Sequence, residues 1–415
     1  MKYKIKDVVN LNHSSIKKDE LTNILYLDTA NLNQNTINEL TEYNFVIDKV
    51  PSRARRKVNN NDILLSTVRP NQEHYGILDN PPTNLIVSTG FAVLSPKKDI
   101  VNPNYLYAYL TQRRITDYLQ IIAENSTSAY PSIKPSVIAN LDIELPSMEK
   151  QNSIGEFSKS LENKIKLNNQ IISTLEELAS TLFKRWFVDY EFPDENGNPY
   201  KSSGGKMIES ELGDIPEVWE VLNLADVSED IITGKTPSTK EKENYGDEIP
   251  FIKIPDMHNN TYVVNTESSL SSLGSSLHPK KLLPKNTICV SCIATPGLVS
   301  ITSEESHTNQ QINAILPKKN DLYFLYLNMK SKSNLIKELG SGGSTTLNLN
   351  KTQFGKIKLV YPPEIIKETF NDFCSPLFLK ILLLKRSNNQ LVNLRDSLLP
   401  KLLSGEIEIP QGEDV

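Results

Sequence analysis

Apolar residues along the chain follow two alternating rhythms. Short runs such as ILYL (24–27), DILLS (62–66), FAVLS (91–95), PFIKI (250–254) and TICVSCIA (287–294) are separated by clusters of Asn, Gly, Pro and Ser, the pattern of short strands joined by turns. Each set is accompanied by one helical piece, YLYAYLTQRRITDYL (105–119) and DLYFLYLNMKSKSNLIKEL (321–339), so two mixed α/β (α+β) domains are expected. After each domain the rhythm lengthens to seven. Ile154, Leu161, Asn168, Leu175 and Leu182 recur at that spacing, with Phe157, Ile171 and Leu178 at a second seam position. Phe370, Leu377, Leu384, Leu391 and Leu398 repeat it, with Phe373 and Leu394 at the second position. Heptads sustained this far predict two long coiled-coil helices. Asn168 stands alone among apolar seam residues; it either fixes register or turns to solvent.

The two halves are one plan written twice. At an offset of 216, Leu141, Ile143 and Pro146 fall on Ile357, Leu359 and Pro362, and Phe157, Leu161 and Ile165 fall on Phe373, Leu377 and Ile381. Upstream the likeness loosens, with STGFAVLSPKK (88–98) opposite TNQQINAILPKK (308–319) and STSAYPSI (126–133) opposite GGSTTLNL (342–349). The expected division is a first domain over 1–145, a helix over 146–192, a Gly/Asn/Pro-rich connector over 193–217, a second domain over 218–361, a second helix over 362–409 and a disordered tail over 410–415. A pseudo-two-fold would set the two helices antiparallel.

Composition narrows the class. No stretch approaches the ~18 apolar residues of a membrane span, and the Lys-rich start lacks a secretory core, so a cytoplasmic protein is expected. Three cysteines, Cys289, Cys292 and Cys374, are too few to staple 415 residues. The net charge is −5, and the one dense basic run, DKVPSRARRKV, sets Lys49, Arg53, Arg55, Arg56 and Lys57 close together, a candidate phosphate contact. Arginine is absent from 216–354.

The run LRDSLLPKLLSGEI (394–407), NNQIISTLEELASTLFKRWFVDYEF (168–192), ELGDIPEVWEV (211–221) and ITGKTPST ahead of PFIKIPDM (232–257) resemble the specificity subunits of type I restriction-modification systems. The resemblance covers nearly the whole chain. It implies a non-catalytic chain that reads a bipartite site in double-stranded DNA, one recognition domain per half-site, with the helices as ruler. They are also the platform for two methyltransferase subunits, to which two restriction/translocase subunits add. S-adenosylmethionine, ATP and Mg²⁺ would then belong to the partners and no cofactor to this chain. Pro400 would lie where the family's last helix tolerates a kink. The first domain lacks the Pro-x-x-Trp seen at Pro216–Trp219. Two other readings stay open, a coiled-coil scaffold without DNA specificity and a self-sufficient DNA methyltransferase.

Base reading uses Arg or Lys for guanine and Asn or Gln for adenine. In the first domain the candidates are Arg53, Arg55, Arg56 and Lys57, then Arg69, Asn71, Gln72 and His74, then Ser128 and Tyr130. In the second they are Lys235, Thr236 and Ser238, then Lys253, His258 and Asn259, and Ser341, Ser344 and Thr345 in a Gly/Ser loop. Catalytic motifs do not assemble. Asn80-Pro81-Pro82 is followed by Thr83 where an adenine methyltransferase needs an aromatic. TGKT (233–236) has Glu229 where a phosphate loop needs glycine. Cys289 and Cys292 have no second pair to complete a zinc site, and Glu162-x-Lys164 lacks partner carboxylates.

Overall fold

The structure, a computed structural model, describes residues 1–17, 20–126, 130–341 and 349–409. It contains two compact units, residues 1–166 with the chain from Leu391 onward, and residues 167–390.

In the first unit, one four-stranded sheet has the order Val9–Leu11, Phe91–Pro96, Ile63–Ser66, Tyr75–Ile77, and a second the order Thr41–Asn44, Asn23–Leu27, Leu85–Ser88, Ala54–Lys57. Leu85–Ser88 runs parallel to Asn23–Leu27 while its other neighbour, Ala54–Lys57, is antiparallel. The second unit repeats the plan. Ser228–Thr233, Ile312–Pro317, Ile288–Ser291 and Val299–Thr302 form the larger sheet, extended by Tyr262–Val263. His307–Thr308 runs parallel to Ile249–Ile252. Each unit also closes on itself: Lys2–Lys4 pairs antiparallel with Asp142–Glu144, and Glu220–Asn223 with Lys358–Tyr361. Ile63, Leu64, Phe91, Val93 and Leu94 are fully buried in the first unit, as Ile288, Cys289, Val290, Ala314 and Ile315 are in the second. These are the apolar runs read from the sequence, continuous because their sheets are covered on both faces. The stretch after the first long helix carries a hairpin, Met207–Ser210 with Gly213–Pro216, and Trp219 stacks on Phe192 at 4.9 Å.

Two helices of 40 and 41 residues, Met148–Phe187 and Glu364–Ser404, contribute to both units; the second continues through Pro400. In the second unit Asn168 Nδ2 donates to Asn388 Oδ1 at 2.7 Å, Phe183 meets Phe370 at 6.3 Å, and Trp186 meets Phe370 at 5.7 Å. In the first, Lys150 pairs with Glu408 at 2.5 Å and Arg395 exerts its charge on Glu162. Residue numbers rise on one helix as they fall on the other, so within each unit the two lie antiparallel.

The first seam position lies where the heptads put it. Ile154, Leu161, Asn168, Phe370 and Leu384 are buried, and Leu175, Leu182, Leu377, Leu391 and Leu398 half-buried. Asn168 is enclosed rather than turned to solvent. The second position differs by one residue. Phe157 is half-buried, but Leu178, Phe373 and Leu394 are exposed at 52%, 56% and 42%. The inward set is Ser158, Ile172, Ala179 and Trp186 on one helix and Cys374, Ile381 and Leu402 on the other. Positions i+3 and i+4 flank a seam residue on opposite sides of the stripe. Here the i+4 side packs, and small Ser158, Ala179 and Cys374 suit close approach.

Candidate nucleic-acid interface

In the first unit the basic run does not form one patch, because strand alternation divides it. Arg53 and Arg55 are exposed; Arg53 O accepts from Thr89 N at 2.9 Å, beside the loop joining the parallel strand to Phe91–Pro96, and Arg55 Nε donates to Ser52 O. Arg56 turns the other way, half-buried, with its Nε unpartnered and its pKa lowered by burial. Lys57 is held by Glu20. Arg69 adopts a left-handed backbone (φ 47°), and its guanidinium lies 5.3 Å from the ring centre of Tyr130, 61 residues away in sequence. The segment at Pro131 is tied to this turn by Arg69 N donating to Pro131 O at 2.9 Å. Asn71 and Gln72 are exposed beside Arg69, whereas His74 Nδ1 sits 2.7 Å from Leu32 O and faces inward. Ser128 lies outside the described residues.

In the second unit Lys235 and Thr236 follow Ser228–Thr233 and abut the loop after the parallel strand: Lys235 N donates to Thr308 O at 2.9 Å, and Thr236 Oγ1 to Gln310 Oε1 at 2.6 Å. Ser238 O accepts from Asn244 Nδ2. Lys253 follows the neighbouring strand Ile249–Ile252 and lies 3.5 Å from Glu267. His258 and Asn259 are exposed, but away from that loop: Asn259 O accepts from Lys385 Nζ at 3.2 Å. Ser341 ends the helix Ser333–Ser341; Ser344 and Thr345 lie outside the described residues. The sequence reading missed Asn309, Gln310 and Gln311. The available signal was three carboxamides in succession just before Ile312, where the first copy has Ser88-Thr89-Gly90 before Phe91.

Cys289, in the strand Ile288–Ser291, and Cys292, just after it, are free and fully buried, and burial pushes both thiols upward in pKa. Glu162 accepts from Asn35 Nδ2 at 2.8 Å, and burial raises its carboxyl pKa. Among the described residues no three His, Cys, Asp or Glu side chains cluster to hold a metal, and no helix is long and apolar enough to cross a membrane.

The family model for the type I restriction modification DNA specificity domain matches this chain twice, over residues 1–177 and 216–393. The chain belongs to that specificity-subunit family. The two matches end 216 residues apart, the offset at which the helices repeat. The chain is 36% identical to the Type I restriction enzyme HindI specificity subunit of Haemophilus influenzae, over 93% of this chain and 94% of that one. It is 27% identical to the MjaIX specificity subunit of Methanocaldococcus jannaschii, over 84% of this chain and 78% of that one. The crystal structure of the type I restriction-modification S subunit from M. genitalium shares the fold, with a TM-score of 0.58 at 15% identity, covering 97% of this chain and 95% of that chain. For a specificity subunit the relevant chemistry is base and phosphate contact, and both units present polar loops at the same place in their topology.

The strand bearing the second-unit loop carries a buried histidine. His307 is 1% exposed, with Nε2 2.8 Å from Ser275 Oγ, and burial, aided by His278, lowers its imidazole pKa. A depressed folded pKa keeps the ring neutral, so its contribution to stability is intact above the unfolded value of about 6.5. It is lost as the pH falls through that value toward the folded one. Melting curves at pH 7.5 and 5.0 should show a larger drop for the wild type than for His307→Gln; equal drops would exclude His307 as the source.

Proposed function

We propose that this specificity subunit reads a bipartite DNA site, the first domain contacting one half-site and the second the other, and that the chemistry belongs to its partners. What carries the reading is that each unit sets a loop after its parallel strand pair, 89–90 and 309–311, with exposed Arg53 beside the first and Lys235 and Thr236 beside the second. Arg69, Asn71, Gln72 and Tyr130 extend the first surface. The two long helices, a coiled-coil pair related by a pseudo-two-fold, act as the ruler. Forty residues at ~1.5 Å each give about 60 Å, compatible with half-sites one DNA turn, ~34 Å, apart. The outward apolar residues Leu178, Phe373, Leu379 and Leu383, all more than half exposed, suit a protein partner, and we assign the helices' outward faces to two methyltransferase subunits with two restriction/translocase subunits added. S-adenosylmethionine, ATP and Mg²⁺ are assigned to those partners.

The test is methylome mapping of cells carrying the chain with its partner subunits. A two-part methylated sequence is expected, with no methylation by the purified chain alone; methyl transfer by the chain alone would overturn the reading. Replacing Arg53, Arg55, Arg56 and Arg69 singly by Ala should cost about 1–3 kcal/mol wherever a base is read, relaxing one half-site and sparing the other. Arg55 and Arg53 should show this before inward-facing Arg56. If none of the four relaxes any position, the arginine assignment fails.

A further inference from the structure

No arginine, the commonest guanine reader, occurs between 216 and 354, and Lys253, just after the strand Ile249–Ile252, is drawn toward Glu267 at 3.5 Å. What the fold builds there instead is a fixed carboxamide. The loop 309–311 is fastened by backbone bonds on three sides: Asn309 N to Ile252 O at 3.2 Å, Lys235 N to Thr308 O at 2.9 Å, and Cys292 N to Gln311 O at 2.8 Å. Gly234 is pressed so close that a Cβ there would lie 2.2 Å from Thr308 O, so only glycine lets the neighbouring turn brace the loop. Asn309 and Gln311 satisfy each other, Asn309 Nδ2 donating to Gln311 Oε1 at 3.0 Å and Gln311 N to Asn309 Oδ1 at 3.1 Å. Gln310 is left as the exposed member of the three.

We infer that Gln310 reads an adenine in the second half-site and that Thr236 is its positioning residue. Thr236 Oγ1 donates to Gln310 Oε1 at 2.6 Å, which occupies one of that oxygen's two lone pairs and aims the amide. The other lone pair accepts from adenine N6–H while Nε2 donates to N7, the bidentate pairing that a carboxamide makes with adenine in the major groove. Exposed Lys235, next in the chain to Thr236, is placed to meet a phosphate and hold register.

This inference rests on the DNA-reading function proposed above, and the experiment separates the two. The intact complex would be assembled with wild-type chain, Gln310→Ala, Gln310→Glu, Thr236→Val and Thr236→Ser, and its methylated sequence mapped. The expected result is that Gln310→Ala lowers discrimination roughly tenfold or more at one A·T position of a single half-site, leaving the other half-site unchanged. Gln310→Glu, which can only accept, should shift that position toward cytosine, whose N4 donates. Thr236→Val should relax the same position more weakly, and Thr236→Ser, which keeps the hydroxyl, should restore it. A Gln310→Glu complex that retains the wild-type adenine, or a Gln310→Ala complex that reads the full wild-type sequence, overturns the inference even if another variant folds poorly. If the wild-type complex itself methylates without sequence preference, it is the proposed function that fails.

Discussion

Lys367→Met should destabilise the second unit by about 3–5 kcal/mol, the range for breaking a buried pair and leaving one charge behind. Lys367 is 3% exposed and Asp321 0%. The ammonium lies 2.7 Å from Asp321 Oδ1, in an ion contact without hydrogen-bond geometry at that oxygen. It is 2.9 Å from Glu364 Oε2 and also bonds the Tyr361 hydroxyl, which in turn donates to Asp321 Oδ2 at 2.6 Å. Burial opposes both charges; it raises the Asp321 carboxyl, while for Lys367 the surrounding oxygens outweigh it and raise the ammonium pKa. The first unit shows how the same joint is made without charge. Gln151, 216 residues before Lys367, accepts from Asn102 N at 3.0 Å and donates to Pro146 O at 3.1 Å; Asn102 caps the helix Pro103–Leu110 with its side chain, whereas Asp321, at the start of Leu322–Ser331, makes no side-chain cap bond and is given over to Lys367 and Tyr361. The double variant Asp321→Asn/Lys367→Gln, which removes both charges together, should lose less stability than Lys367→Met, because most of the cost of breaking a buried pair is the charge left uncompensated. Denaturant unfolding of the intact chain decides it: a double variant no more stable than Lys367→Met would show that the charge itself is required.

The second large effect is expected at Phe370. Its ring is fully buried, 4.8 Å from Phe187, 5.7 Å from Trp186 and 6.3 Å from Phe183, so Phe370→Ala should cost about 3–5 kcal/mol in transfer and cavity terms. Phe373, three residues on, makes one edge contact with Trp186 at 5.9 Å and is otherwise exposed; Phe373→Ala should cost about 1 kcal/mol. Urea unfolding of the two variants side by side tests which residue belongs to the packed seam. Equal losses would contradict the observed burial.

That contrast also marks how far the sequence could be read. The seven-residue rhythm located both long helices and their first seam position, because Ile154, Leu161, Phe370 and Leu384 are large, apolar and regularly spaced. The second position escaped because its occupants include Ser158, Ala179, Cys374 and Asn388, residues that carry no hydrophobic signal, while Leu178 and Leu394 are apolar yet face outward. Asn168 was legible as an anomaly but not as a bond, since its partner Asn388 is 220 residues away. Near the loops the limit was pairing rather than periodicity. Only strand alternation separates Arg55 from Arg56, and only the fold brings Arg69 to Tyr130 or Thr236 to Gln310.

Each domain begins and ends on adjacent antiparallel strands, Lys2–Lys4 beside Asp142–Glu144 and Glu220–Asn223 beside Lys358–Tyr361. The chain thus enters and leaves a domain at one spot. Everything between those two strands is a cassette: a stretch of foreign sequence of the same topology can be spliced in there without altering the path of either long helix, and chain termini can be relocated to such a junction with little structural disturbance. Recombination at two short, paired segments would then exchange one whole domain while both long helices stay as they were.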